Sequence, residues 1–416
     1  MTGPMSAEQV ARRRAVEALR SGVPSWDAVA ALGSGQGDVE DRFGALLDTA
    51  EGGTARGLLL GGGFGAGKSH LLTHLAHLAL ERGFAVSTVV VSKETPLHDP
   101  AKVHRAAVES LVGPDRRPGL LADAAAALDP DSAGYAELRR WVQAPAAPVD
   151  ERFAATLLLH EKLAGGEVPD GDETVDAVVR FWAGDPIRVP ELRRALKTVG
   201  AGGLYSFGPV PARELARQRM RFTARLLRAA GHAGWVVLFD EVELIGRYSL
   251  LQRGRSYAEL ARWAGGDPDD PGGPVAAVLA MTDDFEAAVL TGKDDRSKVP
   301  AKLRDKQTAE WDELAGLAER GIRAIERDLV LLAPPDAAEL DRAYRTLKAL
   351  HAAAYDWSPP DVPGLERLGA TRMRQYVRAW INAWDLVRLD PQHAPDTEVV
   401  EVRSSYDEDE EETAAG

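Results

Sequence analysis

Residues 62–69 read Gly-Gly-Phe-Gly-Ala-Gly-Lys-Ser and match the pattern G-x-x-x-x-G-K-[ST] at every fixed position. In this pattern the glycines let backbone N–H groups converge on phosphate oxygens, and the dipole of the following helix favours negative charge. Lys68 is placed to reach the β- and γ-phosphates of ATP, and Ser69 to ligate Mg²⁺. A chance glycine-rich turn is the alternative. The predicted nucleotide-binding residues are Gly62, Gly63, Phe64, Gly65, Ala66, Gly67, Lys68, Ser69 and His70.

The second chemical element is an acidic pair at the end of an apolar run. The four apolar residues 236–239 are followed directly by Asp240 and Glu241. Since ligands of open α/β sheets bind at the carboxyl ends of the strands, these acids are predicted to face the phosphates. Asp240 would hold magnesium with Ser69, and Glu241 would polarise the water that attacks the γ-phosphate. The alternative is an acidic pair that is merely solvated.

Two further positions are candidates for contact with the γ-phosphate. Thr282 follows a third apolar run, with Asp283 as the second choice, although ordinary capping at a strand end would also favour these residue types. Arg372 opens a helix near the C-terminus and would reach across a cleft, with Arg374 as the second choice. A solvated arginine at a helix end is the alternative for both. Lys68, Glu241, Thr282 and Arg372 are thus the predicted catalytic set.

These residues need a sheet to position them. From Gly57 to Ser92 the chain shows a short apolar run, a glycine loop, an amphipathic stretch and a second apolar run, which is typical of a βαβ unit. The predicted fold class is therefore α/β, a P-loop NTPase with a parallel sheet, a helical insertion and a C-terminal helical lid. Strands are predicted at Leu58–Leu60, Val86–Val91, Trp235–Phe239, Val275–Met281 and Asp328–Leu332.

The chain divides into four predicted parts. Residues 1–50 form an N-terminal helical segment and linker, and residues 51–333 the core, with a helical insertion at about 100–208. Residues 334–393 form the helical lid. Residues 394–416 carry nine acids and one arginine, a net charge of −8 that leaves −6 for the rest, so this acidic tail is predicted to be disordered.

Composition limits the function classes. The chain has 416 residues, of which 45% are apolar and 27% charged, as in ordinary globular proteins. The absence of cysteine excludes disulfides, thiolate nucleophiles and cysteine-based metal centres. The N-terminal residues lack an apolar signal core, and no apolar run approaches the roughly 18 residues that a membrane span needs. A cytoplasmic location without membrane contact is therefore expected.

One helix carries an arginine stripe in this acidic protein of net charge −14. Five arginines between Pro211 and Ala230 recur at intervals of three or four residues, so they share one face about 22 Å long. Such a stripe could follow several phosphates of DNA or RNA. A solvated or docked helix face is the favoured alternative. The stripe consists of Arg213, Arg217, Arg221, Arg225 and Arg228.

Three histidines after the glycine loop also share a helix face. His70, His74 and His77 fall at i, i+4 and i+7, a spacing that could hold zinc. No glutamate completes an H-E-x-x-H pattern, and leucines flank the histidines. We therefore favour packed neutral histidines over a metal site.

Taken together, these motifs resemble a known family. The order of P-loop, Asp-Glu pair, polar strand end and Gly-x-x-Arg is similar to that of AAA+ ATPases of the origin-recognition type. A closer resemblance is to the BREX system ATP-binding family, the BrxD-type proteins of bacterial phage-defence islands. The segments that carry it are Arg12–Gly33, Gly63–Leu71, Ser92–Val103, Phe239–Arg247 and Gln252–Trp263.

The resemblance implies roles for further residues. Leu32–Phe43 would lie against the adenine of ATP, and Arg372 would be the lid arginine called sensor 2. Other defence-system proteins would be partners, and a homo-oligomer is compatible with the family, in which case a neighbouring copy would supply an arginine finger. The candidates for that finger are Arg253, Arg255, Arg296 and Arg304.

Two functions of different classes follow. The favoured one is an AAA+-like ATPase of a BREX-type antiviral defence system, which converts ATP and water into ADP and phosphate and transmits domain motion to a partner protein or to DNA. The alternative is a nucleotide-dependent switch or scaffold that hydrolyses ATP slowly or not at all and recruits a helicase, methyltransferase or nuclease. A nucleic-acid motor in its own right is disfavoured by the negative charge.

Overall fold

A five-stranded parallel sheet forms the centre of the protein. The computed structural model describes residues 6–23, 25–54, 56–164, 171–265, 269, 273–362 and 373–390, so Arg372 and the acidic tail lie outside the described residues. The strand order is β2-β3-β4-β1-β5, and all neighbours are parallel. The strands are β1 (Arg56–Gly61), β2 (Ala85–Val90), β3 (Trp235–Asp240), β4 (Val275–Met281) and β5 (Leu329–Leu331).

The central strands are apolar because both faces of the sheet are covered by helices. In β3 every residue is buried. Val237 and Phe239 join the hydrophobic core on one face, whereas Val236 and Leu238 join the core on the other. This alternation follows from the two-residue period of a strand. The parallel sheet predicted from the apolar runs is confirmed.

Four helices form a bundle at the edge of the core. The bundle consists of α1 (Ala7–Ser21) and α2 (Trp26–Leu32) together with two later helices, α15 (Ala337–Tyr355) and α16 (Met373–Leu389). In contrast, α3 (Gly37–Glu51) packs on the sheet. The N-terminal segment is therefore shared between the two bodies, with α1 and α2 packed on α15 and α16.

Two chain crossings join this bundle to the core, and they are tied together. The Gln36 side chain donates a hydrogen bond to the Ala333 carbonyl and accepts one from the Ala333 N–H, both at 3.0 Å. One crossing lies between α2 and α3, and the other between β5 and α15. The two crossings therefore form one clamped junction between the bundle and the core.

The segment between β2 and β3 is helical, as the sequence predicts. Its helices pack on one face of the sheet and enlarge that core with large buried side chains such as Phe153 and Trp182. They are α5 (Pro100–Glu109), α6 (Leu120–Ala126), α7 (Ala133–Val142), α8 (Glu151–Leu163), α9 (Gly171–Ala183), α10 (Val189–Thr198) and α11 (Ala212–Ala229).

The region that follows β3 contains helices at Asp295–Arg304 and Ala309–Asp328 that the sequence patterns do not reveal. The helices at Leu250–Gly265 and Ala309–Asp328 cross closely. A Cβ on Gly321 of the second helix would lie 2.0 Å from the Tyr257 carbonyl oxygen of the first. Among the described residues, no helix has the length and apolarity that a membrane crossing requires. The remaining helices are α4 (Lys68–Glu81), α12 (Leu250–Gly265), α13 (Asp295–Arg304) and α14 (Ala309–Asp328), with a 3-10 helix at Val242–Arg247 and a π-helix at Glu286–Thr291.

Candidate active site at the carboxyl edge of the sheet

The glycine loop connects β1 directly to the N-terminus of α4. Gly65 and Gly67 have φ angles of +80° and +100°, in the left-handed region that side chains with a Cβ rarely adopt. The Ala66 N–H donates to the Gly63 carbonyl at 3.0 Å, which curls the loop. Because α4 begins at Lys68, its free N–H groups and dipole are directed at this loop. The loop thus has the local structure of an anion site.

Lys68 lies over the loop rather than away from it. Its Nζ donates to the Gly62 carbonyl at 2.7 Å and is 3.4 Å from the Gly63 carbonyl oxygen. The side chain is half-buried. Phosphate oxygens bound by the loop would therefore come within reach of an ammonium group that is already in place.

The acidic pair lies at the same edge of the sheet. Asp240 ends β3 and is only 8% exposed, and its Oδ1 accepts the Glu241 N–H at 2.9 Å. Glu241 has a φ angle of +59°, a conformation uncommon for a residue with a side chain. This left-handed residue ends the strand and starts the 3-10 helix, so Glu241 occupies a strained turn of the kind found at functional sites.

Thr282 lies between the loop and the acidic pair. It follows β4, which is the strand between β1 and β3. The carboxyl ends of three adjacent parallel strands therefore bring together Gly62, Asp240 and Thr282. Thr282 is almost fully buried, whereas Asp283 and Asp284 are exposed. Burial at this position distinguishes Thr282 from the two acids that follow it.

Glu243 is an acidic residue of the site to which the sequence patterns assign no role. It is 6% exposed, and its Oε2 is sealed from solvent and has no hydrogen-bond partner among the described residues. Burial raises the pKa of Glu243 to about 7, while the nearby Lys68 ammonium lowers it and the Glu241 and Asp240 carboxylates raise it further. The carboxyl therefore shares the electrostatic environment of the other charged groups. The only available signal was an acid two positions beyond Glu241.

A cavity of 130 Å³ lies at the junction between the helical bundle and the core. Its wall includes residues 32–36 from the first crossing, Ala66 and Gly67 from the glycine loop, and Leu332 and Ala333 from the second crossing. Met373 and Val377 of α16 close the bundle side. The cavity thus adjoins the phosphate loop, and its wall contains the first part of the linker that was predicted to contact adenine.

His70 connects this linker to α4. Its Nε2 is 2.7 Å from the Gly33 carbonyl oxygen. Burial lowers the pKa of His70, and the hydrogen bond to the Gly33 carbonyl partly opposes this shift. The ring is therefore neutral at pH 7 and donates its Nε2 proton to that carbonyl. His74 instead lies 3.1 Å from Glu40, and His77 stacks on Trp26. The three histidines therefore have separate partners, and no group of three or more His, Asp or Glu residues in the described part of the chain could hold a metal ion.

Arg374 of α16 lies at the site. Its guanidinium lies 5.6 Å from the centre of the Phe64 ring at the tip of the glycine loop, and its side chain lines the cavity. The stem of Arg374 packs beside Gly22. Arg372, the first choice from the sequence, is outside the described residues. Arg374 therefore provides a cation between the bundle and the loop.

The arginine stripe of α11 faces protein rather than solvent. Each of its five guanidinium groups contacts another part of the chain, and Arg221 is buried. These contacts support the docked-face interpretation over a DNA surface. They join Arg213 to the His98 carbonyl, Arg217 to Glu259, Arg221 to the Pro148 carbonyl, Glu214 and Asp269, Arg225 to the Trp141 ring, and Arg228 to the Glu51 carbonyl.

The four arginine-finger candidates also differ in their surroundings. Arg253 is buried and forms two hydrogen bonds with Asp295, at 2.9 and 3.0 Å. Such a residue could not reach a neighbouring subunit without exposing a buried carboxylate. The others are more accessible: Arg255 lies over the Trp311 ring, Arg296 pairs with Glu286 and Arg304 pairs with Glu319.

The fold and the site define a class of protein. A parallel α/β sheet, a glycine loop leading into a helix that starts with Lys-Ser, and an acidic pair on a nearby strand form a P-loop-like phosphate site. Residues 8–123 match the model of the family described as BREX system ATP-binding protein BrxC/D. The match confirms, over those residues, the resemblance predicted from the sequence. Neither a curated protein nor a solved structure matches the chain.

Proposed function

We propose that the protein is an AAA+-like ATPase of a bacterial BREX-type phage-defence system. The observation that carries this proposal is the meeting of Lys68, Asp240, Glu241 and Thr282 at the carboxyl edge of three adjacent strands. The matched family is described as ATP-binding, and the match includes the whole glycine loop. ATP binding is thus supported by the geometry of the glycine loop and by the family match, and hydrolysis by the acidic pair.

In this proposal the nucleotide lies between the core and the bundle. The base occupies the apolar cavity, with residues 32–36 on one side and Val377 on the other. The triphosphate extends onto the N–H groups of the glycine loop, where Lys68 exchanges its carbonyl partners for phosphate oxygens. Arg374 approaches the phosphates from the bundle side and serves as the sensor arginine.

The residues present fit a magnesium ion. Ser69, in the first turn of α4, and Asp240 would hold it through oxygen atoms, the donors that magnesium prefers. When bound, the ion would neutralise charge on the phosphates.

Hydrolysis would be carried out by the acidic pair and its neighbour. Glu241 accepts a proton from the attacking water, and Thr282 orients that water or the γ-phosphate. Release of phosphate then removes the ligand that holds Arg374 and Lys68 together. The bundle can move relative to the core, and the motion is passed to a partner protein or to DNA.

The proposal is tested by phosphate release from purified protein, with and without double-stranded DNA at low salt. We expect Lys68→Ala to lose ATP binding, and Glu241→Gln to bind ATP but hydrolyse it about 10²–10⁴-fold more slowly. Glu94→Gln is the matched control, since this acid follows β2 at the same edge but is fully exposed.

The outcomes separate the two functions. Turnover lost in both site variants and kept in the control supports an ATPase. ATP binding by the wild type without turnover in any condition supports the switch instead. Failure of the wild type to bind ATP would overturn both.

A further inference from the structure

The linker wall, residues 32–36, lines the cavity where the chain passes from α2 to α3. At Gly33 the φ and ψ angles are +67° and −165°, a combination that residues with a Cβ rarely adopt. The Ser34 hydroxyl oxygen accepts the Gln36 N–H at 2.9 Å, and the Gln36 side chain is clamped to Ala333. The wall is therefore a defined turn that is fastened to the core at its far end.

His70 fastens the near end of the linker wall to the phosphate-binding helix. Its Nε2 donates to the Gly33 carbonyl oxygen at 2.7 Å, across 37 positions of the chain. His70 directly follows Ser69 in the first turn of α4, and it lines the same cavity as the wall. This hydrogen bond therefore joins the surface proposed to hold the base to the helix proposed to hold the phosphates.

The other two histidines on this face of α4 contact the same N-terminal segment. His74 lies 3.1 Å from Glu40, whose carboxylate accepts a hydrogen bond from the Ser34 hydroxyl. His77 stacks on Trp26 of α2, with the ring centres 4.3 Å apart. The histidine face of α4 is thus the surface on which α2, the linker wall and the start of α3 lie.

We propose that His70 is a positioning residue for nucleotide binding, whose hydrogen bond to Gly33 holds the linker wall where one ATP molecule contacts both the wall and the glycine loop. This inference rests on the proposed function and deepens it, because His70 acts through the wall and not by touching the base. If the wall is in place in only a fraction of the molecules, the apparent affinity for ATP falls by that fraction. The phosphates would still bind, since the loop and Lys68 are unchanged.

The test compares two ligands by calorimetry in the presence of magnesium, ATP and inorganic tripolyphosphate. The ratio of the two affinities is the nucleoside gain. Leaving a buried carbonyl without its donor costs about tenfold in an equilibrium constant, so His70→Leu should reduce the nucleoside gain by about tenfold. The affinity for tripolyphosphate should stay at the wild-type value. His70→Gln should keep most of the gain, because its side-chain amide can donate to the same carbonyl.

His77→Leu is the matched control. It makes the same substitution on the same helix face, but the ring partner of His77, Trp26, does not line the cavity. The nucleoside gain of this variant should equal that of the wild type. Thermal midpoints establish that all three variants are folded, and their binding of tripolyphosphate establishes that the glycine loop is intact.

Four results would overturn the inference. The first is a wild-type nucleoside gain in His70→Leu, which would make the hydrogen bond irrelevant to ATP. The second is an equal loss of affinity for both ligands, which would indicate a defect of the phosphate site. The third is the same reduction in His70→Gln or His77→Leu, which would remove the hydrogen bond as the cause. The fourth is a wild type that binds ATP no more tightly than tripolyphosphate. Absence of ATP binding by the wild type would instead refute the proposed function itself.

Discussion

Replacing Arg253 by methionine should destabilise the protein strongly, because it removes the partner of a buried carboxylate. The Arg253 and Asp295 side chains are 4% and 0% exposed. Arg253 donates two hydrogen bonds to Asp295, at 2.9 and 3.0 Å, and a third to the Tyr248 carbonyl at 2.6 Å. After the substitution, the one side-chain donor that Asp295 retains within the described part of the chain is the Tyr257 hydroxyl, at 2.6 Å.

The expected loss in the free energy of unfolding follows from this geometry. Removing one partner of a buried ion pair costs about 3–5 kcal/mol, since the remaining charge is left without compensation. Arg296→Met is the matched control, because Arg296 directly follows Asp295 in the sequence. The Arg296 side chain is 37% exposed and pairs with surface acids, so its loss should cost below about 1 kcal/mol.

Urea denaturation followed by circular dichroism gives these values. A second substitution, Asp295→Asn, should recover part of the loss in Arg253→Met, because the amide carries no charge and still accepts from Tyr257. A cost below about 1 kcal/mol for Arg253→Met, together with lost phosphate release and intact ATP binding, would refute this reasoning. Arg253 would then be a functional arginine.

Three more predictions concern single side chains. Arg374→Ala should weaken ATP binding about 10–100-fold by calorimetry, whereas the exposed Arg378→Ala, one turn along α16, should match the wild type. Arg221→Met should lower the free energy of unfolding by about 1–3 kcal/mol and leave any DNA affinity and its salt dependence unchanged, since this guanidinium binds protein groups. Burial lowers the pKa of His104 to about 3. Below pH 6.5 this residue therefore binds a proton in the unfolded chain but not in the folded protein. The free energy of unfolding should then fall by about 1.4 kcal/mol for each pH unit. Urea denaturation at pH 7 and 5 should show this extra loss in the wild type but not in His104→Gln.

The strands and the glycine loop could be predicted because their signals are local. A strand buried on both faces needs a continuous apolar run, and β3 and β4 occur where such runs occur. The loop motif is defined by fixed spacing, so its position between β1 and α4 also follows from the sequence. The parallel sheet then brings its carboxyl ends together without further information.

Other features depend on tertiary packing and have no local signal. The docking of α1 and α2 on the lid helices is decided by contacts between residues more than 300 positions apart, such as the Arg13 hydrogen bond to the Ala354 carbonyl. The arginine stripe had the spacing of a phosphate-binding face, but only the folded chain reveals its protein partners. The burial of Glu243 likewise has no local signal and is known only from the folded chain.

The clamped junction explains how one nucleotide could control the arrangement of two bodies. The cavity wall contains Leu332 and Gly67 from the core and Val377 from the bundle. A ligand that contacts both bodies favours the arrangement in which both sets of contacts form, and loss of that ligand removes this preference. The Gln36 clamp holds the two crossings side by side. Because the carboxyl groups at residues 240, 241 and 243 lie on the core side, hydrolysis would act on the core, and the bundle would be the body that responds.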